Sequence, residues 1–420
     1  MAEKFVITGG KPLSGSVLVP GAKNAALKLI AGCLLTPEIC VLNNLPVISD
    51  VSKMLSILES MGASIERQGG NSVSISCADI KPQEINGTLV SQLRASVVLL
   101  GPLLARFGEV RLPYPGGDRI GARPLDAHMR VFEQLGAQIL SWDRILHLRA
   151  PKGLVPGRII LPEFSVTATE NALLAAALLP GTSEIKIAAA EPHVQDLALF
   201  LGHLGVDITG AGTHDIIVSG KPALSGAAHT VIPDALDAAT FLICALATRG
   251  RVLVEGARED HLILVLEKLR EMGAAISTRK EGIAVSWDKP LRAVGRLQAM
   301  PYPGIPSDLQ ALFTVLATQA SGETQIHDPL FEGRFLYLQE LARMGAVVEQ
   351  RDSHRAMVRG PAKLSGTTIS SFDIRAGAAM VLAGLVADGE TIIEGIEHID
   401  RGYEDLDGRL RNLGADIARI

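Results

Sequence analysis

Six stretches of this chain are apolar on nearly every side of a helix. They are NAALKLIAGCLL (24 to 35), RASVVLLGPLLARF (94 to 107), ATENALLAAALL (168 to 179), DAATFLICALAT (237 to 248), SDLQALFTVLATQA (307 to 320) and IRAGAAMVLAGLVA (374 to 387). A helix with no polar face has to be enclosed, so all six are expected in an interior. Between them run amphipathic segments that stop at Gly62, Gly136, Gly205, Gly273, Gly345 and Gly414, a repeat of about 70 residues. Glycine just past the last turn is the usual left-handed helix stop. After each of the first five stops an alternating pattern, such as SVSIS (72 to 76) or IIVS (216 to 219), predicts a hairpin strand. EICVL, TSEIKI, ETQI and ETII predict further strands behind the first, third, fifth and sixth apolar helices. Each unit thus reads strand, buried helix, strand, exposed helix, hairpin. Six units predict an α/β chain of two pseudo-threefold domains, helices inside and sheets outside. The period exceeds the range of roughly 20 to 45 residues usual for solenoids.

The polar residues of the apolar stretches gather where those helices begin. Lys23 and Asn24 open the first, Arg94 the second and Ser165 to Thr169 the third. Asp234 and Asp237 open the fourth, Asp308 the fifth, and Asp373 with Arg375 the sixth. Capping accounts for the acids, at about 0.5–2 kcal/mol each. It does not account for Lys23, Arg94 and Arg375, because cations oppose the positive end of a helix dipole. An anion shared among them, as at other helix-terminus phosphate sites, resolves the conflict. The loop RLPYPGGDRIGARPLD (111 to 126) adds Asp118, Arg119 and Arg123 among three glycines that free its backbone.

Composition narrows the partners. The 420 residues are 47% hydrophobic and 20% charged, which excludes disorder and suits more than one domain. Aromatics at 4% and a net charge of -5 give neither a stacking surface nor a basic footprint for nucleic acid. Any anionic ligand must be held by a local group of arginines. Cys33, Cys40, Cys77 and Cys244 show no CxxC pairing or metal spacing and read as reduced thiols. With no signal-like or membrane-length apolar run, a soluble cytoplasmic protein is expected. GAGTHD (210 to 215) reads as a glycine turn between strands, and His128 as a helix-surface residue. Glu332 and Arg334 read as a charge pair.

PGAKNAALKLIA (20 to 31), LRASVVLLGPLLARFG (93 to 108), PGGDRIGARPLDAH (115 to 128) and SVTATENALLAA (165 to 176) resemble the UDP-N-acetylglucosamine enolpyruvyltransferase family. So do GIPSDLQ (304 to 310), FEGRF (331 to 335), FDIRAGAAMVLAGL (372 to 385) and HIDRGYE (398 to 404). The resemblance runs from residue 20 to 420. It implies a two-domain inside-out α/β barrel, the enolpyruvyltransferase fold. One domain would be 22–231, carrying a mobile loop at 111–122, and the other 1–21 with 232–420. It implies transfer of the enolpyruvyl group of phosphoenolpyruvate to the sugar 3-hydroxyl of UDP-N-acetylglucosamine with loss of phosphate, the first committed step of peptidoglycan synthesis. No cofactor or metal is implied, and the partners are the two substrates, for a monomer or weak homo-oligomer. Lys23, Arg123 and Arg401 would surround the phosphate and carboxylate of phosphoenolpyruvate. Asn24, Arg94, Arg123, Pro124, Leu125, Asp126, Ser165, Val166 and the backbone at Leu330 would contact the nucleotide sugar, with Arg375 among the binding cations. Asp308 would take the hydroxyl proton, and Asp118, where most relatives carry cysteine, would be the acid.

Some positions depart from the family pattern. Arg119 replaces the usual alanine, Ala235 an arginine, and Gly333 the asparagine of FENRF. Arg119 and Arg123 favour an ionised Asp118, whereas an acid must hold its proton; exclusion of water by the loop would oppose them. Three other readings stay open: the sister family that makes enolpyruvylshikimate phosphate, a paralogue acting on another uridine-containing acceptor, and a silent binding scaffold. Because the loop carries a carboxylate instead of a thiol, fosfomycin, an epoxide that alkylates the family's loop cysteine, is expected to leave no adduct. Intact-protein mass spectrometry after incubation with drug and nucleotide sugar checks this: an unchanged mass is expected.

Overall fold

The computed structural model describes residues 3–118 and 120–420, so Arg119 lies outside the described residues. The chain divides into two compact units. Unit 1 comprises the segment up to Pro20, Asp118–Arg123 and Pro233–Ile420; unit 2 comprises Gly21–Gly117 and Pro124–Ile232. Asp118 and residues 120–123 thus pack as part of unit 1, whereas the sequence reading assigned the whole loop 111–122 to the other domain. Hydrogen bonds within unit 1 hold this piece. The Ala122 N–H donates to Glu332 Oε1 at 2.8 Å, and the Gly333 N–H to the Ile120 carbonyl at 3.0 Å.

Each unit is built around three of the apolar helices. In unit 2 these are Lys23–Gly32, the segment Arg94–Phe107 and Val166–Ala176; in unit 1 they are Ala235–Ala247, Gln310–Thr318 and Ile374–Val386. The second is not one regular helix. A 3-10 stretch, Arg94–Leu99, precedes the α-helix Leu100–Phe107. Pro102 is the reason: it has no N–H for the Val98 carbonyl and its ring crowds that turn, so the α-helix restarts beside it. Each unit has its own continuous apolar core. Leu29, Ile30, Phe200, Phe241 and Phe313 are fully buried, each such side chain contributing about 1.5–3 kcal/mol of transfer free energy.

Among the described residues six sheets cover these helices, five of four strands and one of three. Six strands lie one behind each buried helix; five are inner strands of the four-stranded sheets, and Glu109–Pro113 is an edge of the three-stranded one. The six are Cys40–Asn43, Glu109–Pro113, Gly181–Lys186, Arg251–Glu255, Gly322–His327 and Glu390–Glu394. A hairpin packs antiparallel on one side of the first five; in the sixth, Phe5–Thr8 and Asp416–Arg419 take its place. Five central strands also pair with a parallel strand on their other side. Among the described residues the second unit of the repeat lacks that strand. There the chain instead forms the turns Pro82–Glu84 and Gly87–Val90, because the Asn86 side chain accepts from the Thr88 and Leu89 N–H groups and starts a helical turn. All six stop glycines have positive φ, between 89° and 109°.

Two leading strands are exchanged between the units. Ser14–Leu18 runs into the unit 2 helix Lys23–Gly32 but pairs with Arg251–Glu255 of unit 1. Ala228–Thr230 runs into the unit 1 helix Ala235–Ala247 but pairs with Cys40–Asn43 of unit 2.

Asn171 ties the unit 2 helices together. Its Oδ1 accepts the Gly101 N–H at 2.7 Å, and its Nδ2 donates to the Val97 carbonyl at 3.0 Å and to His128 Nδ1 at 2.9 Å. His128 is therefore buried, not on a helix surface; burial first, then the charge of Arg94, pushes its pKa down to about 3. Asn171→Ala would strand the Gly101 N–H and the Val97 carbonyl in an apolar interior. A loss of about 2–4 kcal/mol is expected from the denaturant midpoint at constant slope.

Candidate active site

Two carboxylates in unit 1 each meet arginine. The start of the fifth apolar stretch is a single 3-10 turn, Ser307–Leu309, and it presents Asp308. Asp308 is no cap. Oδ1 accepts from Arg334 Nη2, and Oδ2 lies 3.4 Å from Arg375 Nε. Burial works against the charge of Arg375, but Tyr403, Asp308 and Asp234 outweigh it and hold the guanidinium above its usual range. Its plane sits 5.1 Å from the Tyr403 ring, whose hydroxyl meets Thr240 at 2.9 Å. Asp373 is the cap that orients this helix, accepting the Arg375 and Ala376 N–H groups at 2.7 and 2.8 Å.

The segment around Leu330 is fixed by Asp328. Oδ1 accepts the Leu330 and Phe331 N–H groups at 3.0 and 3.3 Å, while Oδ2 accepts from the Ser307 hydroxyl. Arg334 stacks 5.3 Å from the Phe331 ring. The sequence reading paired Glu332 with Arg334; instead Arg334 binds Asp308 and Glu332 holds the Ala122 N–H. Gly333 permits this seat, since a Cβ there would lie 2.9 Å from the Ile120 carbonyl carbon. Asp118 forms an ion pair with Arg401, whose side chain comes from the 3-10 segment Ile396–Arg401. Arg123 follows with φ of 47°.

Unit 2 holds the other expected residues. Lys23, at the first position of its helix, is buried and paired at 2.8 Å with Asp50. Asp50 could not be read as its partner beforehand, because it is an unremarkable first-turn acid of the helix Ser49–Ser60. Asn24 is half-buried beside Lys23, and Arg94 stacks 5.9 Å from the Tyr114 ring. Ser165 flanks the start of the helix that Val166 opens. Pro124 is exposed and Leu125 buried ahead of the helix Asp126–Gln134. Asp126, Met129, Arg130, Trp142, Leu161 and Pro162 line a cavity of about 520 Å³. The structure thus brings Asp118 to Arg401 and Asp308 to Arg375 in unit 1, and sets Lys23 next to Asn24 in unit 2.

Sequence reasoning missed two residues deeper in this unit. Lys28 and Glu170 are the charged residues inside the otherwise apolar helices Lys23–Gly32 and Val166–Ala176, 3.6 Å apart and almost wholly buried. That isolation was itself the signal.

Truncating Glu332 to alanine should release residues 120–123 without unfolding unit 1. Amide exchange of a peptide covering 120–124 is expected to accelerate about tenfold, with the global melting transition unmoved.

A sequence profile of the EPSP synthase (3-phosphoshikimate 1-carboxyvinyltransferase) family matches residues 7–410. The UDP-N-acetylglucosamine 1-carboxyvinyltransferase of Methylacidiphilum infernorum is 41% identical, over 100% of this chain and 99% of its own length. The protein of the same name from Gluconacetobacter diazotrophicus is 42% identical, again over 100% and 99%. Among solved structures, the enolpyruvyl transferase NikO from Streptomyces tendae superposes with a TM-score of 0.89 at 27% identity, covering 100% of this chain and 99% of that one. The chain belongs to the EPSP synthase family and, within it, to the UDP-N-acetylglucosamine 1-carboxyvinyltransferases.

Proposed function

We propose that this enzyme transfers the enolpyruvyl group of phosphoenolpyruvate to the 3-hydroxyl of UDP-N-acetylglucosamine and releases phosphate, opening peptidoglycan synthesis. The observation that carries the reading is full-length identity above 40% to transferases of that name. Identity to the enolpyruvyl transferase NikO is lower, at 27%. A cytoplasmic setting, as a monomer or weak homo-oligomer, is part of the proposal. Among the described residues no helix is long and apolar enough to cross a membrane.

The chemistry needs a base, an acid and cations. Asp308 takes the proton of the sugar hydroxyl as its oxygen attacks the central carbon of phosphoenolpyruvate. Asp118 gives a proton to the methylene carbon, forming a methyl group on a tetrahedral intermediate. Loss of that methyl proton expels phosphate and restores the double bond, so one proton is borrowed and returned. Lys23, Arg123 and Arg401 receive the phosphate and carboxylate, the guanidiniums through paired hydrogen bonds and Lys23 as a point charge. In this reading Arg401 serves twice. Its pairing with Asp118 positions the carboxylate, and the phosphoenolpyruvate anion, by taking the same guanidinium, leaves Asp118 to be protonated before it acts as the acid. Arg334 and Arg375 hold Asp308 toward the hydroxyl. Asn24, Arg94, the run Arg123 to Asp126, Ser165, Val166 and Leu330 seat the nucleotide sugar.

The test is phosphate release from phosphoenolpyruvate across a panel of acceptors: UDP-N-acetylglucosamine, other uridine-linked compounds and shikimate 3-phosphate. Fastest release with UDP-N-acetylglucosamine is expected. Binding without release would make the chain a silent scaffold, and a preference for another acceptor would reassign it. Asp118→Asn is expected to cut kcat by at least about 100-fold while the nucleotide-sugar Kd stays within about threefold, by calorimetry. A near-wild-type rate would remove Asp118 from the mechanism.

A further inference from the structure

Lys28 and Glu170 lie one helical turn inside the two helix starts assigned to the nucleotide sugar. Lys28 follows Asn24 by four residues and Glu170 follows Val166 by four, each about 6 Å deeper along its axis. Glu170 is fully buried, and among the described residues neither carboxyl oxygen accepts a hydrogen bond. The charged and titratable groups that face it are Lys28 Nζ at 3.6 Å, from the helix Lys23–Gly32, and His193 Nε2 at 3.8 Å, from the helix Pro192–His203. Glu191, just ahead of that helix, acts on it as a like charge. The helix Asp126–Gln134 sends His128 to Thr167 and Asn171 instead.

The position matters because Lys23 is already matched. Asp50 sits 2.8 Å from it, so the positive charge beneath these helix starts depends on whether Lys28 is matched too. We propose that Glu170 is a positioning residue which, by holding or releasing one proton beside Lys28, sets how much positive charge underlies the seat of the anionic nucleotide sugar. The inference rests on the reading of Asn24, Ser165 and Val166 as that seat.

The direction is fixed by burial. Burial pushes the Glu170 carboxyl up to about 8, against the pull of Lys28 and with the help of Glu191. Near pH 7 the carboxyl is neutral in the folded chain and adds no negative charge beside Lys28. As pH rises through about 8 the carboxyl ionises and places a negative charge there. Stability follows the same sign: the raised pKa favours folding below the ordinary carboxylate range, and that contribution is lost as pH passes about 8. Nucleotide-sugar affinity should therefore fall between pH 7 and pH 9.

Calorimetry with UDP-N-acetylglucosamine alone, without phosphoenolpyruvate, tests this on the full chain. The wild-type Kd is expected to weaken about fivefold or more from pH 7 to 9. Glu170→Gln, which keeps the shape of the neutral acid, should remove that slope, and Lys28→Met should weaken binding at pH 7 and also flatten it. Glu170→Gln is nearly isosteric, so it decides the matter even if Lys28→Met does not fold. A wild-type slope that survives in Glu170→Gln, or a wild-type profile already flat, overturns the inference and leaves the transferase reading standing. Failure of every protein to bind the nucleotide sugar at any pH overturns that reading and this inference together.

Discussion

A helix enclosed on all sides can carry charge without great cost only at its ends, and this constraint organises the molecule. Each unit buries three such helices beneath sheets, so their starts are the places where polar chemistry can be concentrated. Charge inside such a helix must be compensated. At two helix starts that carry a cation, the structure supplies a counter-charge. Lys23 has Asp50, and Arg375 has Asp308, with Tyr403 against the guanidinium plane. These pairings keep the side chains ordered. They also mean that an incoming anion competes with carboxylates already present.

The two proposed catalytic carboxylates illustrate this. Asp118 and Asp308 are each gripped by arginine, yet the grips differ. Asp308 lies between two guanidiniums from the buried part of unit 1, on a turn itself fixed by Asp328. Asp118 is held by one, on a loop piece fastened through the Glu332 carboxylate and the Gly333 backbone. In the proposed reaction Asp308 would be the carboxylate fixed within the buried part of unit 1, and Asp118, whose proton must be given and then returned, the one carried by the loop piece.

Much of this was legible in the sequence, for physical reasons. Glycine stops and all-apolar stretches depend on local backbone and on burial, so the repeat and all six stop glycines could be read directly. The missing strand near residue 85 could not, because it turns on an asparagine cap that competes with pairing to a distant strand. His128 looked like a surface residue because a histidine on an amphipathic helix is exposed by default; the contact that buries it, Asn171, comes from another repeat. The partners of Lys23 and Asp308 were equally hidden, since Asp50 and Arg334 are ordinary residues until the fold brings them close.

The exchanged leading strands bear on how the chain is made. The first strand, Phe5–Thr8, finds its neighbours in Glu390–Glu394 and Asp416–Arg419, so it leaves the ribosome long before its sheet exists. Ser14–Leu18 likewise waits for Arg251–Glu255. Unit 2, by contrast, has nearly all its strands once Thr230 has emerged. Synthesis therefore favours completion of the middle of the polypeptide first, with an unsatisfied amino-terminal segment trailing until the last residues are translated. An excised unit 1 beginning near residue 233 would lack two strands and expose raw sheet edges, a recipe for aggregation.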